Sequence, residues 1–154
     1  MNKDQQQLHR WLQALGTSLG IELTLDQDGG TCIECEDNVQ VFVEMPDDTP
    51  LVHFYAPMVR LPDDETQQNA VLKEALKINL FSLETGASCL AFDARTQSIA
   101  LTFAVILVDL DEETFAEALG DFIEMSIGIS KRLLAFSQLG VAHHHSSSPA
   151  FQRV

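Results

Sequence analysis

Basic residues are scarce in this sequence. Nine lysines and arginines face 23 aspartates and glutamates, which gives a formal net charge of −14 at pH 7. None of the nine lies between Trp11 and Val59, whereas nine of the acids do. Nucleic acids and anionic membrane surfaces are themselves negative, so a protein this acidic repels them. We therefore expect neither a nucleic acid nor a membrane as a partner.

Cysteines and long apolar runs are also few. The three cysteines are odd in number and too few for a disulfide framework, which favours a reducing compartment. The longest mainly apolar stretch, 99–110, is well short of the roughly 20 residues that a membrane-spanning helix needs. The opening residues MNKDQQQLHRW have no apolar segment of the kind a secretory signal contains. These features predict a cytoplasmic protein.

The common signatures of enzymes are missing. The sequence has no phosphate-binding loop, no dinucleotide-binding glycine motif and no nucleophile elbow. Cys32 and Cys35 form a CxxC, but they fall in a predicted strand, where positions three apart face opposite sides, so we expect ordinary strand cysteines. The histidines 143–145 belong to a low-complexity tail. We predict no catalytic residue, no metal and no cofactor, and hence a protein that is not an enzyme.

Hydrophobic periodicity divides the chain into helices and strands. It predicts an α+β fold in the order α-β-β-β(-β)-α-β-β-α, a twisted antiparallel sheet with helices packed on it. One domain covers residues 1–138, and residues 139–154 are expected to form a flexible low-complexity tail. The predicted helices are 4–19, 64–81 and 109–136, and the predicted strands are 21–25, 31–36, 39–44, 51–58, 88–93 and 98–108.

Two surfaces follow from this pattern. The strand 98–108 is apolar on both faces, so it needs cover on both sides, and a second subunit can supply one of them. The early strands also carry apolar side chains on both faces and are surrounded by acids. Such a surface suits a cationic, amphipathic peptide that adds to the sheet through its main chain, while the acids speed encounter.

Three segments resemble the class I chaperones of bacterial type III secretion, the Tir-chaperone-like or CesT-type family. The first is the opening helix with HRWLQAL, followed by IELTL and its glycine turn. The second is VLKEALKINLFSLETGASCLAFD, in which a helix ending in Asn-Leu runs into a strand. The third is SIALTFAVIL followed by DLDEETFAEALGDFIE. The resemblance covers about residues 4–136, and the CxxC and the Ser/His tail depart from it.

The resemblance implies a cytoplasmic homodimer that binds the extended N-terminal segment of a secreted effector without ATP and keeps it soluble and secretion-competent. The effector and a second copy of the chain are the implied partners, and the export-apparatus ATPase is a further candidate. The implied effector-binding residues are Leu15, Leu25, Ile33, Cys35, Phe42, Val43 and Phe54. The implied dimer residues are Leu72, Leu76, Leu80, Leu101, Phe103 and Val105.

Two alternatives remain open at the level of sequence. One is a regulatory binding protein that sequesters a transcription regulator of the secretion system on the same acidic surface. The other is a small enzyme of unrecognised type, which would need a concave pocket with a perturbed carboxylate or histidine.

Overall fold

The structure is a computed structural model that describes residues 1–142. It confirms the α+β class, with three helices and a five-stranded antiparallel sheet among the described residues. The helices are α1 (Lys3–Leu19), α2 (Glu65–Ile78) and α3 (Glu112–Ala142), and the strands are β1 (Gly30–Glu34), β2 (Gln40–Glu44), β3 (Leu51–Arg60), β4 (Cys89–Asp93) and β5 (Ser98–Ile106).

The strand order in the sheet is β1-β2-β3-β5-β4. The first three strands are neighbours in chain order, β1 beside β2 and β2 beside β3. After α2 the chain forms β4 at the far edge of the sheet and then β5, which lies between β4 and β3. A register shift between Pro57 and Val59 lets β3 continue to Arg60. The sheet therefore has two edge strands, β1 and β4.

The core lies between one face of the sheet and the helices. Phe54 of β3 is fully buried, and its ring lies 6.0 Å from that of Phe115 and 5.5 Å from that of Phe122, both on α3. Trp11 of α1 contacts Phe115 in turn, with 5.7 Å between ring centroids. Aromatic contacts thus join the sheet to α3 and α3 to α1, and they fix which face of the sheet is covered.

The start of α1 is tied to the loop after β2. Asn2 caps the helix through a reciprocal pair of hydrogen bonds with Gln5, whose side-chain amide nitrogen also donates to the carbonyl of Met45 over 2.8 Å. Gly29 passes beside this contact with a φ of +81°, and a Cβ there would come within 2.5 Å of both the Gln5 amide and the Met45 oxygen. Only glycine fits this crossing.

The predicted strand 21–25 is wrong. These residues run extended, with Leu23 and Leu25 buried, but they pair with no strand of the described chain. The amide of Leu25 instead donates to Nδ1 of His9 over 3.2 Å. Alternating apolar residues predicted the extended backbone and its burial correctly, but pairing also requires a neighbouring strand.

Several element ends also differ from the predictions. Strand β3 passes Pro57 because that residue lies beside a bulge, and α2 ends at Ile78, before Phe81. Helix α3 begins at Glu112, three residues later than predicted, and Asp111 caps it, since its carboxylate accepts from the amide of Thr114 over 2.8 Å. Helix α3 continues through Ala142, and the remainder of the predicted tail, 143–154, lies outside the described residues.

Candidate functional site

One face of the sheet carries no helix of the described chain. On it a single row of side chains crosses all five strands, because each residue pairs in register with the next. The row consists, from edge to edge, of Cys32, Phe42, Tyr55, Thr102 and Cys89. We call this side of the sheet the open face. It presents partly exposed aromatic groups in the middle and exposed thiols at both ends.

A trough of about 780 Å³ lies on the open face. Phe42 and Tyr55 form its floor with a ring-centroid separation of 6.0 Å, and Ala104, Pro46 and Ala87 extend the apolar lining. A volume of this size admits several side chains at once. Because the trough lies on the surface of the sheet, a polypeptide can lie along it.

Charged groups stand at two margins of the trough. On one side, Glu44 pairs in register with His53. On the other, Arg95 forms an ion pair with Asp93. The Arg95 side chain and amide bind the Asp93 carboxylate and lower its pKa to about 2. The Tyr55 hydroxyl donates to the same carboxylate over 3.0 Å. Burial and this bond raise the pKa of Tyr55, so the phenol stays neutral at ordinary pH.

The outer edge of β1 is a second candidate surface. Apart from the turn at Asp26 and Gly30, no backbone hydrogen bond joins the extended segment 21–26 to β1 within residues 1–142. The edge therefore presents free main-chain groups beside a second extended chain. All nine acids between residues 11 and 59 are exposed: Glu22, Asp26, Asp28, Glu34, Glu36, Asp37, Glu44, Asp47 and Asp48.

For four of the seven predicted effector-binding residues the assignment is wrong, because these residues are buried. Val43 and Phe54 are fully buried, and Leu25 and Ile33 are 8% and 7% exposed, because all four face the helices. Their side chains form core and offer no surface to a partner.

The other three predicted residues are partly exposed but do not lie together. Phe42 is on the open face, whereas Leu15 lines a groove between α1 and α3 beside Ala116. Cys35 precedes the turn in which Asp37 bonds Lys131 of α3. At 1.5 Å per helical residue, Ala116 and Lys131 are roughly 22 Å apart along α3. Phe42 alone of the seven belongs to the open face.

The predicted dimer residues separate into three groups. Leu76 and Leu80 are 70% and 58% exposed, whereas Leu101 is fully buried against the helices and cannot take part. Leu72, Phe103 and Val105 pack against the core with part of their surface free. Sequence reasoning missed two more exposed side chains, Phe81 and Leu83, which follow α2 and are each 83% exposed. We call Leu76, Leu80, Phe81 and Leu83 the apolar segment.

The cysteines form no dithiol pair. Cys32 lies on the open face, while the Cys35 thiol donates to the Ile33 carbonyl, and both are free. Burial raises the pKa of both thiols, and the neighbouring Glu34 raises that of Cys32 further. In the described part of the chain, no cluster of three or more histidine, cysteine or acidic residues could hold a metal ion. Nor does any helix within residues 1–142 have the length and apolar character needed to cross a membrane.

The fold and these surfaces define a class: small, acidic α+β binding proteins with a sheet that is open on one face. Residues 10–128 match the family model described as the Tir chaperone protein (CesT) family. Since the match covers most of the chain, the protein belongs to that family, which confirms the resemblance seen in the sequence. No curated protein matches the sequence significantly.

Solved structures of three protein complexes share the fold. The ExsC-ExsE complex gives a TM-score of 0.69 at 17% identity, covering 86% of this chain and 97% of the other. The HopA1-SchA chaperone-effector complex gives 0.63 at 13%, covering 85% and 98%. The heterodimeric ExoU-SpcU complex from the type III secretion system of Pseudomonas aeruginosa gives 0.59 at 17%, covering 84% and 96%.

Proposed function

We propose that this protein is a dimeric, ATP-independent chaperone that binds the extended N-terminal segment of a type III secreted effector in the bacterial cytoplasm. The observation that carries this proposal is the family match over residues 10–128, in a fold whose open face is apolar and carries no helix of residues 1–142. The structural neighbour named as a chaperone-effector complex supports it, as does the heterodimeric complex from a type III secretion system.

The edge of β1 suits an extended part of the effector. Its free main-chain groups can pair with an added strand, and strand addition supplies affinity that does not depend on the side-chain sequence. Glu34 projects from this strand, and Glu22 and Asp26 lie on the neighbouring extended segment. A strand with alternating apolar and basic residues matches that setting, because the acids attract it and repel acidic competitors.

The open face suits a helical part of the effector. The backbone groups of the central strands β3 and β5 are already paired with their neighbours, so a chain lying over them gains no main-chain bonds from the sheet. A helix satisfies its own backbone and needs only an apolar stripe to pack. Five strands spaced about 4.8 Å apart span roughly 19 Å, the length of a helix of about 13 residues.

The apolar segment suits a second copy of the chain. Its four large side chains are more than half exposed, and the segment joins the end of α2 to the connector before β4. Exposed apolar side chains in such number mark an interaction site on a protein that is otherwise strongly charged. Leu72 lies four residues before Leu76, on the same side of α2, and extends this surface.

Binding alone accounts for the proposed activity. Ordering an unfolded effector segment costs about 1–2 kcal/mol per residue, so the chaperone must bury a large area. Each subunit provides two contact regions, the edge of β1 and the open face, and a dimer has two copies of each. Release then depends on the export machinery, and the chaperone itself performs no reaction.

The proposal is tested by co-purification from a type III secreting host, followed by mass spectrometry and binding measurements on the captured protein. We expect a secreted effector, and we expect its isolated N-terminal segment to bind the dimer as tightly as the whole protein. Capture of a transcription regulator instead would favour the regulatory alternative. An effector that binds only through its folded domain would contradict the proposed mechanism.

A further inference from the structure

One arginine connects the two ends of the apolar segment. Arg132 of α3 donates from Nε and Nη2 to Oε1 of Glu74, over 3.1 and 2.5 Å, and from Nη1 to the carboxylate of Glu84. Glu74 lies on α2, two residues before Leu76, and Glu84 directly follows Leu83. The two carboxylates therefore bracket the apolar segment in sequence, and a single guanidinium holds both.

The large apolar side chains of the connector after α2 do not attach it to the subunit, although Thr85, near its other end, is fully buried. Leu80, Phe81 and Leu83 point outward, so hydrophobic burial cannot fix this part of the chain to the rest of the subunit. Asn79 holds the start of the connector through two hydrogen bonds of 2.8 Å to the backbone of Leu90. At the other end, the bond from Arg132 to Glu84 ties the connector to α3.

The ion pair between Arg132 and Glu74 is partly shielded from solvent. The Glu74 side chain is only 12% exposed and that of Arg132 is 37% exposed, so solvent screens the pair less than an ordinary surface ion pair. The hydrogen bond from Arg132 lowers the pKa of Glu74, which keeps its carboxylate charged. A lysine could replace the arginine only in part, because its three donors share one nitrogen, whereas the three nitrogens of a guanidinium reach both carboxylates.

We propose that Arg132 is a positioning residue for dimerisation: by holding Glu74 and Glu84 together, it fixes the apolar segment in the shape that a second subunit recognises. This inference rests on the proposed function, specifically on the apolar segment being the dimer surface. Arg132 does not itself have to touch the second subunit. Its effect is to reduce the conformational freedom that the segment would otherwise lose on association.

The test measures the dissociation constant of the full-length dimer by sedimentation, at a temperature where every variant is folded. We expect Arg132→Gln to raise the constant by about tenfold, in line with the loss of charge-assisted hydrogen bonds. Arg132→Lys should raise it less. Glu84→Gln should raise it as well, and adding this change to Arg132→Gln should have little further effect, because both remove the same contact.

Lys131→Gln is the matched control. It removes the same charge from the neighbouring position on α3, but Lys131 bonds Asp37, at the turn between β1 and β2. We expect an unchanged dissociation constant. If Arg132→Gln lowers only the melting temperature and leaves the constant at the wild-type value, its role is merely structural and the inference is wrong.

A further variant separates the inference from the proposed function. Leu76→Ser removes an exposed side chain of the apolar segment and should weaken the dimer directly. If Leu76→Ser weakens the dimer and Arg132→Gln does not, only the positioning role fails. If Leu76→Ser leaves the dimer unchanged, the apolar segment is not the interface, and both the proposed dimer surface and the inference fail.

Discussion

Phe42 and Tyr55 stand opposite each other on β2 and β3, with their rings 6.0 Å apart between centroids, on the side of the sheet away from α3. The neighbouring residues of the same strands, Val43 and Phe54, also pair in register but face the helices and are fully buried. Adjacent positions on these strands therefore have opposite roles, one pair forming the open face and the other the core.

Phe42→Asp should weaken effector binding and leave the protein folded. A charge in the trough would be buried against the effector without a partner, and loss of a central aromatic contact of this kind commonly costs at least about 2 kcal/mol, roughly 30-fold in affinity. Gln6→Asp, at an exposed position on α1, adds the same charge away from the open face and should bind normally. Aggregation of Phe42→Asp would show that Phe42 belongs to the core and that its assignment to the open face is wrong. Wild-type affinity would show that the open face is not the binding surface.

Tyr55 is the only tyrosine in the chain, so the ultraviolet absorbance of tyrosinate reports on it alone. Because its pKa is raised, we expect a titration midpoint above the ordinary value of about 10. The raised folded pKa also means that Tyr55 contributes stability that is lost as pH rises above 10 and through that midpoint.

Asp93→Asn should lower this midpoint without restoring the ordinary value. Burial is the larger cause of the shift and remains in the variant, whereas the contribution of the Asp93 carboxylate is removed. An effector helix over the open face should move the wild-type midpoint upward by further burial. A midpoint near 10 in the free protein would contradict the placement of Tyr55 beside Asp93.

The sequence predicted the elements and their alternation better than it predicted the surfaces. Val41 and Val43 lie on one face of β2 and Phe42 on the other, as the strand predicted over 39–44 requires, because side chains alternate along any strand. The pattern does not say which face the helices cover, since both faces carry apolar side chains. That choice follows from contacts such as Phe54 with Phe115, which are distant in sequence.

The same reasoning explains the errors at the dimer surface. Leu101 looked like an interface residue because β5 is apolar on both faces, yet it faces the helices and is fully buried. Phe81 and Leu83 follow the end of α2, where helical periodicity no longer applies, so no pattern marked them as exposed. The contacts of Arg132 span 58 and 48 residues, and no local signal predicts them.

Phe81→Gly should separate dimerisation from folding. Phe81 has a φ of +57°, which is unfavourable for a bulky side chain. Glycine would relieve strain of about 1–3 kcal/mol, while its added freedom in the unfolded chain costs about 0.4–1 kcal/mol. We expect the free energy of unfolding of the monomer to be unchanged or higher, and the dimer to be weaker because the exposed ring is lost.

Ser82→Gly is the control for this experiment. Ser82 also has a positive φ, +54°, but it contributes no large apolar side chain, so its replacement should leave the dimer as strong as the wild type. Equal weakening by both variants would assign the effect to backbone freedom in the connector. An unchanged dimer in Phe81→Gly would remove that ring from the interface.

The three cysteines provide a footprint of the bound effector. Cys32 and Cys89 lie at opposite ends of the row on the open face, whereas Cys35 follows β1 and is partly packed against the core. An effector helix across the open face should slow alkylation of Cys32 and Cys89 together. In the free protein, Cys32 and Cys35 should react slowly near neutral pH, since their raised pKa values keep the thiolate fraction small.

Single-cysteine variants, made by replacing the other two residues with serine, allow each rate to be measured by mass spectrometry with and without the effector segment. Protection at Cys32 alone would place the effector on the β1 edge only, because Cys89 lies on the far edge strand. Protection at both positions requires an occupant that spans the sheet, as the helix proposed for the trough does. Equal rates with and without a bound effector segment would exclude the open face as its site.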